Sequence, residues 1–255
     1  MKNIPPQQSK APHLARLIPN AITVTALCTG LSAIRFALLE RWELAVSLVL
    51  IAAILDGMDG RVARLLRADS HFGAELDSLS DFISFGVAPA VVIYLYSLQF
   101  WKGTGWALSL FFSTCMALRL ARFNTNIGTL TPEWAKGFSV GVPAPAGAII
   151  ALLPLLTSFA FEESFQNYPF LFAISLLLSG LLMISRIPTY VLKNIRIPYS
   201  YIRPLLMMVA VFMAALFSIP WWILTLGSIF YVLSIPMSII SYRRKKAAIK
   251  NTLAA

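Results

Sequence analysis

The sequence predicts an all-α, polytopic integral membrane protein of about eight transmembrane helices. Three observations carry that expectation. Hydrophobic residues make up 58% of the 255 and charged residues only 13%, where soluble domains carry roughly 25% charge. A mean hydropathy of +0.75 would leave a globule of this size with more apolar surface than its interior could hold. The chain also divides into apolar runs of about the 20 residues that cross roughly 30 Å of hydrocarbon. Together these exclude a soluble enzyme, a nucleic-acid-binding domain and a disordered chain.

The runs come in order at 20–39, 42–65, 75–98, 104–124, 141–161, 169–187, 204–219 and 221–241. Before the first, Met1 to Leu17 is polar, proline-bearing and weakly basic. It lacks the apolar region of a secretory signal peptide, so none is expected. The second run opens on Trp42 and turns charged in its last third. The seventh is short for a crossing and compatible with a tilted or interfacial helix. The eighth runs into Arg243-Arg244-Lys245-Lys246, read first as its anchor and only second as a site for anionic lipid. Cys28 and Cys115 lie inside apolar runs without CxxC or CxxH neighbours, which suits small buried hydrophobes.

The net charge of +10, from 21 Lys+Arg against 11 Asp+Glu, reads as an orientation signal. With the N-terminus in the cytoplasm, eighteen of the 21 bases fall on cytoplasmic segments, and only Arg35, Arg41 and Lys102 lie opposite. Both termini are then expected in the cytoplasm, and Glu162 and Glu163 outside it. Arg186, Lys193 and Arg196 are expected to serve orientation and contacts with lipid phosphate.

The acids are clustered. Asp56, Asp59, Asp69, Glu75, Asp77 and Asp81, six of the eleven, lie within 26 residues across the end of the second run and the start of the third. Carboxylates inside spans are expensive and mark functional interior surfaces. Asp56 and Asp59 are i,i+3, and Asp77 and Asp81 are i,i+4, so each pair shares a helix face. A connection as short as Leu65 to Phe72 makes the two helices antiparallel neighbours whose four carboxylates converge. Counting from Trp42 at 1.5 Å per residue, Asp56 lies about 21 Å and Asp59 about 26 Å along the helix, near the cytoplasmic headgroups. A transporter would place such charges near the midplane with repeat-related broken helices, and no repeat is evident.

Four adjacent carboxylates repel or protonate unless cations neutralise them. All-oxygen ligation suits Mg²⁺, Mn²⁺ or Ca²⁺ and suits zinc poorly, since no His or Cys joins the cluster. His71, on the connecting turn, is expected to be a solvated interfacial residue. Gly60 and Gly73 beside the carboxylates suggest clearance for a bulky ligand. For Gly57, close helix packing stands level with a ligand role. Arg64, one turn after Gly60, is a natural phosphate partner, so a pyrophosphate-bearing substrate fits.

Asp56-Gly-Met-Asp59-Gly60-Arg-Val-Ala63-Arg64, then eight residues, then Gly73-x3-Asp77-x3-Asp81 resembles the signature of the CDP-alcohol phosphatidyltransferase family, D-x2-D-G-x2-A-R-x8-G-x3-D-x3-D, at every fixed position. The resemblance implies a membrane enzyme with a six-helix core that moves a phosphatidyl group from a CDP-lipid to an alcohol. Ile18-Pro19-Asn20-Ala21-Ile22-Thr23, Asp77 to Pro89, Arg119-Leu-Ala-Arg122-Phe123-Asn124 and Gly141-Val-Pro143-Ala-Pro145 look most like the bacterial branch that forms phosphatidylserine. The expected organisation is a cytoplasmic segment 1–17, a family core 18–200, two additional helices over 201–242 and a basic tail 243–255.

The resemblance also implies site roles. Asp56, Asp59, Asp77 and Asp81 are the expected ligands of a divalent metal, Mg²⁺ or Mn²⁺ with Ca²⁺ admissible, as two ions. Asp81, last in the motif, is the expected general base. Gly60, Ala63, Arg64 and Gly73 are expected to bind CDP-diacylglycerol. Arg119, Arg122 and Asn124 are expected to hold the acceptor, L-serine, although the arginine pair equally suits the phosphate of glycerol 3-phosphate. A homodimer in a bacterial inner membrane is implied, with the active site on the cytoplasmic side.

Overall fold

The computed structural model describes residues 13–68, 70–125, 138–190 and 202–254. Of the residues singled out above, Asp69, Lys193 and Arg196 lie outside them. All eight expected runs are helical: α1 (His13–Leu38), α2 (Trp42–Leu65), α3 (His71–Asp81), α4 (Ala88–Tyr96), α5 (Lys102–Thr125), α6 (Ala144–Phe161), α7 (Pro169–Ile184), α8 (Ile202–Ser218) and α9 (Pro220–Ala254). A π-helical segment, Phe82–Val87, joins α3 to α4, so these two make one continuous run. The chain is an integral membrane protein, and among the described residues five helices are long and apolar enough to cross a bilayer: Leu17–Leu38, His71–Tyr96, Leu98–Thr125, Ala144–Phe161 and Pro220–Arg243. α2 has the length, 24 residues, but carries Asp56, Asp59, Arg61 and Arg64 in its second half. The apolar helices Pro169–Ile184 and Pro204–Ser218 are shorter.

Small residues set the closest packing. Thr23, Ala26, Gly30, Ala33 and Ala37 are buried along one face of α1 at alternating spacings of three and four. That stripe lets α1 pack along α2, where Ala45, Val46, Val49 and Ala52 are buried. A Cβ on Gly30 would come within 2.4 Å of Ser84 Oγ and 2.8 Å of Ser84 Cα. Cys28 corrects one expectation. It is exposed, because it falls on the side of α1 opposite that stripe, while Cys115 is buried as expected.

α2 ends in a wrap that glycine usually makes. Arg67 has φ +51°, and Ala68 N–H donates back to the Ala63 carbonyl at 2.9 Å. Ser70 then caps α3, its Oγ accepting from Gly73 N–H at 3.0 Å. α2 packs against the π segment and α4, whereas α3 packs against α1. The two helices are therefore antiparallel as expected but splay at the carboxylate end, leaving a gap between them. At the far end, Trp42 meets Tyr96 edge-on (5.1 Å, 83°), and Tyr96 meets Phe172 at 5.4 Å. The core between α4, α5, α6 and α7 holds Ile93, Phe112, Met116, Leu152, Leu156, Phe172 and Leu176, all fully buried.

The fold is all-α as expected, and among the described residues two three-residue strands join its helices. β1 (Phe138–Val140) pairs antiparallel with β2 (Pro188–Tyr190), Ser139 opposite Thr189. The ladder gives backbone groups partners where α6 begins and α7 ends. α9 also runs past the expected 241 to Ala254, because the basic tail is made of good helix formers. Its 35 residues would measure about 52 Å, well beyond one hydrocarbon thickness.

Candidate active site

α2 and α3 carry the four expected carboxylates into the gap between them. One oxygen each from Asp56, Asp59 and Asp77 lies within 4.8 Å of the others. Oxygen ligands of Mg²⁺ or Ca²⁺ stand about 2.0–2.6 Å from the ion, so opposite ligands sit about 4–5 Å apart and the trio fits such a cation. Asp59 is buried, and Asp56 and Asp77 are half-buried. Asp81 is not part of this trio. It lies within hydrogen-bonding range of Asp56, and Asp77 and Arg119 are its other charged neighbours. The π segment starts at the next residue, so the helix is locally widened and underwound just past Asp81, a distortion often found at functional sites.

α1 supplies the support. Thr23 Oγ1 stands 2.6 Å from Asp59 Oδ2 as donor, and Thr23 is 4% exposed. Its own carbonyl accepts from Ser80 Oγ at 3.2 Å, and Ser84 Oγ reaches the Ala26 carbonyl at 3.3 Å. Thr23 and Asn20 were not among the site residues expected from the sequence. The available signal was a polar i,i+3 pair in the first turns of an apolar helix, beside Pro19.

Two cavities open on either side of Asp77. The first, ≈ 240 Å³, is lined by Asp56, Asp77, Ser78, Asp81, Arg119 and Asn124 among others. The second, ≈ 200 Å³, is lined by Asn20, Thr23, Asp59, Gly60, Ala63 and Gly73 among others. Asp77 and Ala74 line both. The structure thus brings Gly60, Ala63 and Gly73 together in one lobe and Asp81, Arg119 and Asn124 in the other, with the carboxylate trio between.

The glycines differ. A Cβ on Gly60 or Gly57 would meet nothing within 4 Å, so Gly60 faces open space and helix packing does not explain Gly57. A Cβ on Gly73 would lie 3.0 Å from both Asn20 Oδ1 and Ser70 Oγ. Gly73 therefore admits its neighbours' side chains as well as lining the cavity. Arg64 is exposed, with Nε donating to the Gly60 carbonyl at 2.9 Å, and His71 is exposed as expected.

The three expected acceptor residues separate. Arg119 Nε donates to the Val142 carbonyl at 2.8 Å, and its side chain lines the first cavity. Asn124 bonds Ser78, Nδ2 to Oγ at 3.0 Å. Arg122 turns elsewhere. Its guanidinium donates to the carbonyls of Ile184 (2.7 Å), Met183 (3.1 Å), Ser185 (3.3 Å) and Val140 (3.4 Å), strapping the end of α7 to β1. Gly141 completes that corner with φ +79°, where a Cβ would lie 2.7 Å from the Met183 carbonyl oxygen.

Comparison with known proteins agrees with the motif. Residues 16–192 match the family model described as CDP-alcohol phosphatidyltransferase, and residues 200–236 match a second, CDP-alcohol phosphatidyltransferase 2. The chain is 38% identical over 239 residues to a CDP-diacylglycerol–serine O-phosphatidyltransferase of Mycobacterium leprae, covering 93% of this chain and 79% of that one. Proteins of the same name from Helicobacter pylori (39% over 171 residues, 67% of this chain and 70% of that one) and Methanocaldococcus jannaschii (40% over 170 residues, 67% and 72%) are also similar. A family model covering most of the chain, together with relatives at this identity, makes the chain a member of the CDP-alcohol phosphatidyltransferase family.

Proposed function

We propose that this enzyme transfers the phosphatidyl group of CDP-diacylglycerol to the hydroxyl of L-serine, giving phosphatidylserine and CMP. The observation that carries the reading is the pair of cavities meeting at Asp77, one lined by Gly60, Ala63 and Gly73 and the other by Asp81, Arg119 and Asn124. Such an arrangement seats donor and acceptor at once, so displacement is direct and no enzyme nucleophile is needed. The relatives' names supply the acceptor.

The donor occupies the Gly60 lobe, where the absent side chain lets the nucleotide lie against α2, and Arg64 reaches its phosphates. Asp56, Asp59 and Asp77, with Asp81, would hold the divalent metal, Mg²⁺ or Mn²⁺ in two ions, which would supply charge neutralisation for the pyrophosphate and for departing CMP. Asp81 accepts the serine hydroxyl proton as the oxygen attacks the phosphorus that bears the diacylglycerol, and the bond from that phosphorus to CMP breaks. Such general-base assistance contributes about 10²–10⁴-fold. Arg119 pairs with the serine carboxylate and Asn124 orients the amino acid. Arg122 serves as a structural strap, and among the described residues Arg119 is the arginine that lines this cavity, a fit for a carboxylate. The site opens to the cytoplasm of a bacterial inner membrane with both termini on that side, residues 18–200 form the core, and the enzyme is a homodimer.

The test is CMP release by purified protein from CDP-diacylglycerol with Mn²⁺ or Mg²⁺, comparing L-serine with glycerol 3-phosphate and with chelator added. Serine-dependent, chelator-sensitive release with phosphatidylserine as product is expected. Release only with glycerol 3-phosphate would overturn the acceptor, and release insensitive to chelation would overturn the metal role.

A further inference from the structure

The carboxylates that line the gap sit on two helices that pack little against each other. α2 packs against the π segment and α4, and α3 packs against α1. A divalent cation tolerates little error in such a gap, because its oxygen ligands stand about 2.0–2.6 Å from it. Holding Asp77 at its distance from Asp59 therefore falls to a third element.

α1 reaches both helices through one residue. Thr23 Oγ1 donates to Asp59 Oδ2 of α2 at 2.6 Å. The carbonyl of the same Thr23 accepts from Ser80 Oγ of α3 at 3.2 Å. Thr23 is 4% exposed and Ser80 is 3% exposed, so water competes poorly for either bond. Ser80 follows Asp77 by three residues and adjoins Asp81. Fixing it fixes the rotation and height of the turn that carries both carboxylates. A second rung stands one turn further on. Ser84 Oγ donates to the Ala26 carbonyl at 3.3 Å, an approach that Gly30 permits, since a Cβ there would lie 2.8 Å from Ser84 Cα. Apolar packing is non-directional, whereas a hydrogen bond has a preferred length and angle, so these rungs set a register that packing alone would leave free.

We propose that Ser80 is a positioning residue of the carboxylate trio. It ties α3 to the residue of α1 that holds Asp59 of α2, so that Thr23 sets the spacing of Asp59 and Asp77 across the gap. The inference rests on the trio holding a divalent cation, as proposed above.

The experiment titrates full-length protein in detergent micelles with Mn²⁺ alone, without substrate. Free Mn²⁺ is read by electron paramagnetic resonance, with the thermal midpoint as a folding check. Ser80→Ala is expected to weaken Mn²⁺ binding about three- to tenfold, the size of one neutral hydrogen bond. In a Thr23→Val background Asp59 has already lost its tie to α1, and the same change should cost less than about twofold. Ser80→Cys, near in shape and a weak donor, should bind between wild type and Ser80→Ala, and it carries the same criteria if Ser80→Ala does not fold. Ser175→Ala removes a buried serine that bridges α7 to α6 (Ala151 carbonyl, 2.9 Å) and should leave the affinity unchanged. Wild-type affinity in folded Ser80→Ala overturns the proposal. So do equal losses in the two backgrounds, which would make Ser80 and Thr23 independent, or a loss of the same size in Ser175→Ala. If wild-type protein binds no Mn²⁺, the metal reading itself fails and the role of Ser80 falls with it.

Discussion

Replacing Thr23 by valine removes one hydroxyl from behind Asp59 while keeping the side chain's shape. The lost contact is a 2.6 Å donation to a carboxylate oxygen at a residue 4% exposed, so water does not readily take its place. A hydrogen bond to a charged partner contributes about 1.5–3 kcal/mol, and outer-shell partners of metal ligands change metal affinity by about 10–100-fold. The two figures agree at their lower end. Thr23→Val is therefore expected to raise the Mn²⁺ or Mg²⁺ concentration needed for half-maximal CMP release about tenfold or more. Saturating metal should recover most of the activity, and Thr23→Ser should behave like wild type. The assay is a metal titration at fixed CDP-diacylglycerol and serine, with the unfolding midpoint as a check. An unchanged metal requirement in a folded Thr23→Val protein would refute the reasoning, because Asp59 would then be held without its α1 partner.

Three further outcomes are expected. Asp81→Asn should abolish turnover and largely spare CDP-lipid binding measured by equilibrium titration, and loss of both in parallel would make Asp81 chiefly a metal ligand. Gly60→Leu should fold normally, since its Cβ meets nothing within 4 Å. By filling the second cavity, ≈ 200 Å³, it should raise the KM for CDP-diacylglycerol about tenfold or more, and an unchanged KM would move the nucleotide elsewhere. Gly141→Ala should cost about 2 kcal/mol or more from its backbone conformation, with the added clash against the Met183 carbonyl. It should appear as a lower thermal midpoint, and a wild-type midpoint would show that the corner relaxes freely.

Local pattern is strong for helices in a membrane, because each span must satisfy its own backbone. For that reason the eight helical runs, the carboxylate pairs at i,i+3 and i,i+4 and the family motif could all be read from residue order alone. Asp56, Asp59 and Asp77 also meet because a short connection between two helices leaves their shared faces few alternatives. Thr23 escaped that reading, since its partner is 36 residues away and the polar pair it forms with Asn20 in α1 does not say which element it will face. The two arginines of α5 illustrate the same limit. At i,i+3 they look equivalent, yet one lines the cavity and the other straps α7.

Composition and spacing by themselves determined that this chain spans a membrane, where its charges gather and which family its motif matches, since these depend on local chemistry and period. Only the tertiary structure decided that the site divides at Asp77 into two lobes, that Arg122 is spent on backbone carbonyls and that the last helix packs against β2. Those outcomes depend on how α1, β2 and α9 pack around the motif. Contacts between elements so far apart in the chain leave no period in the sequence to read.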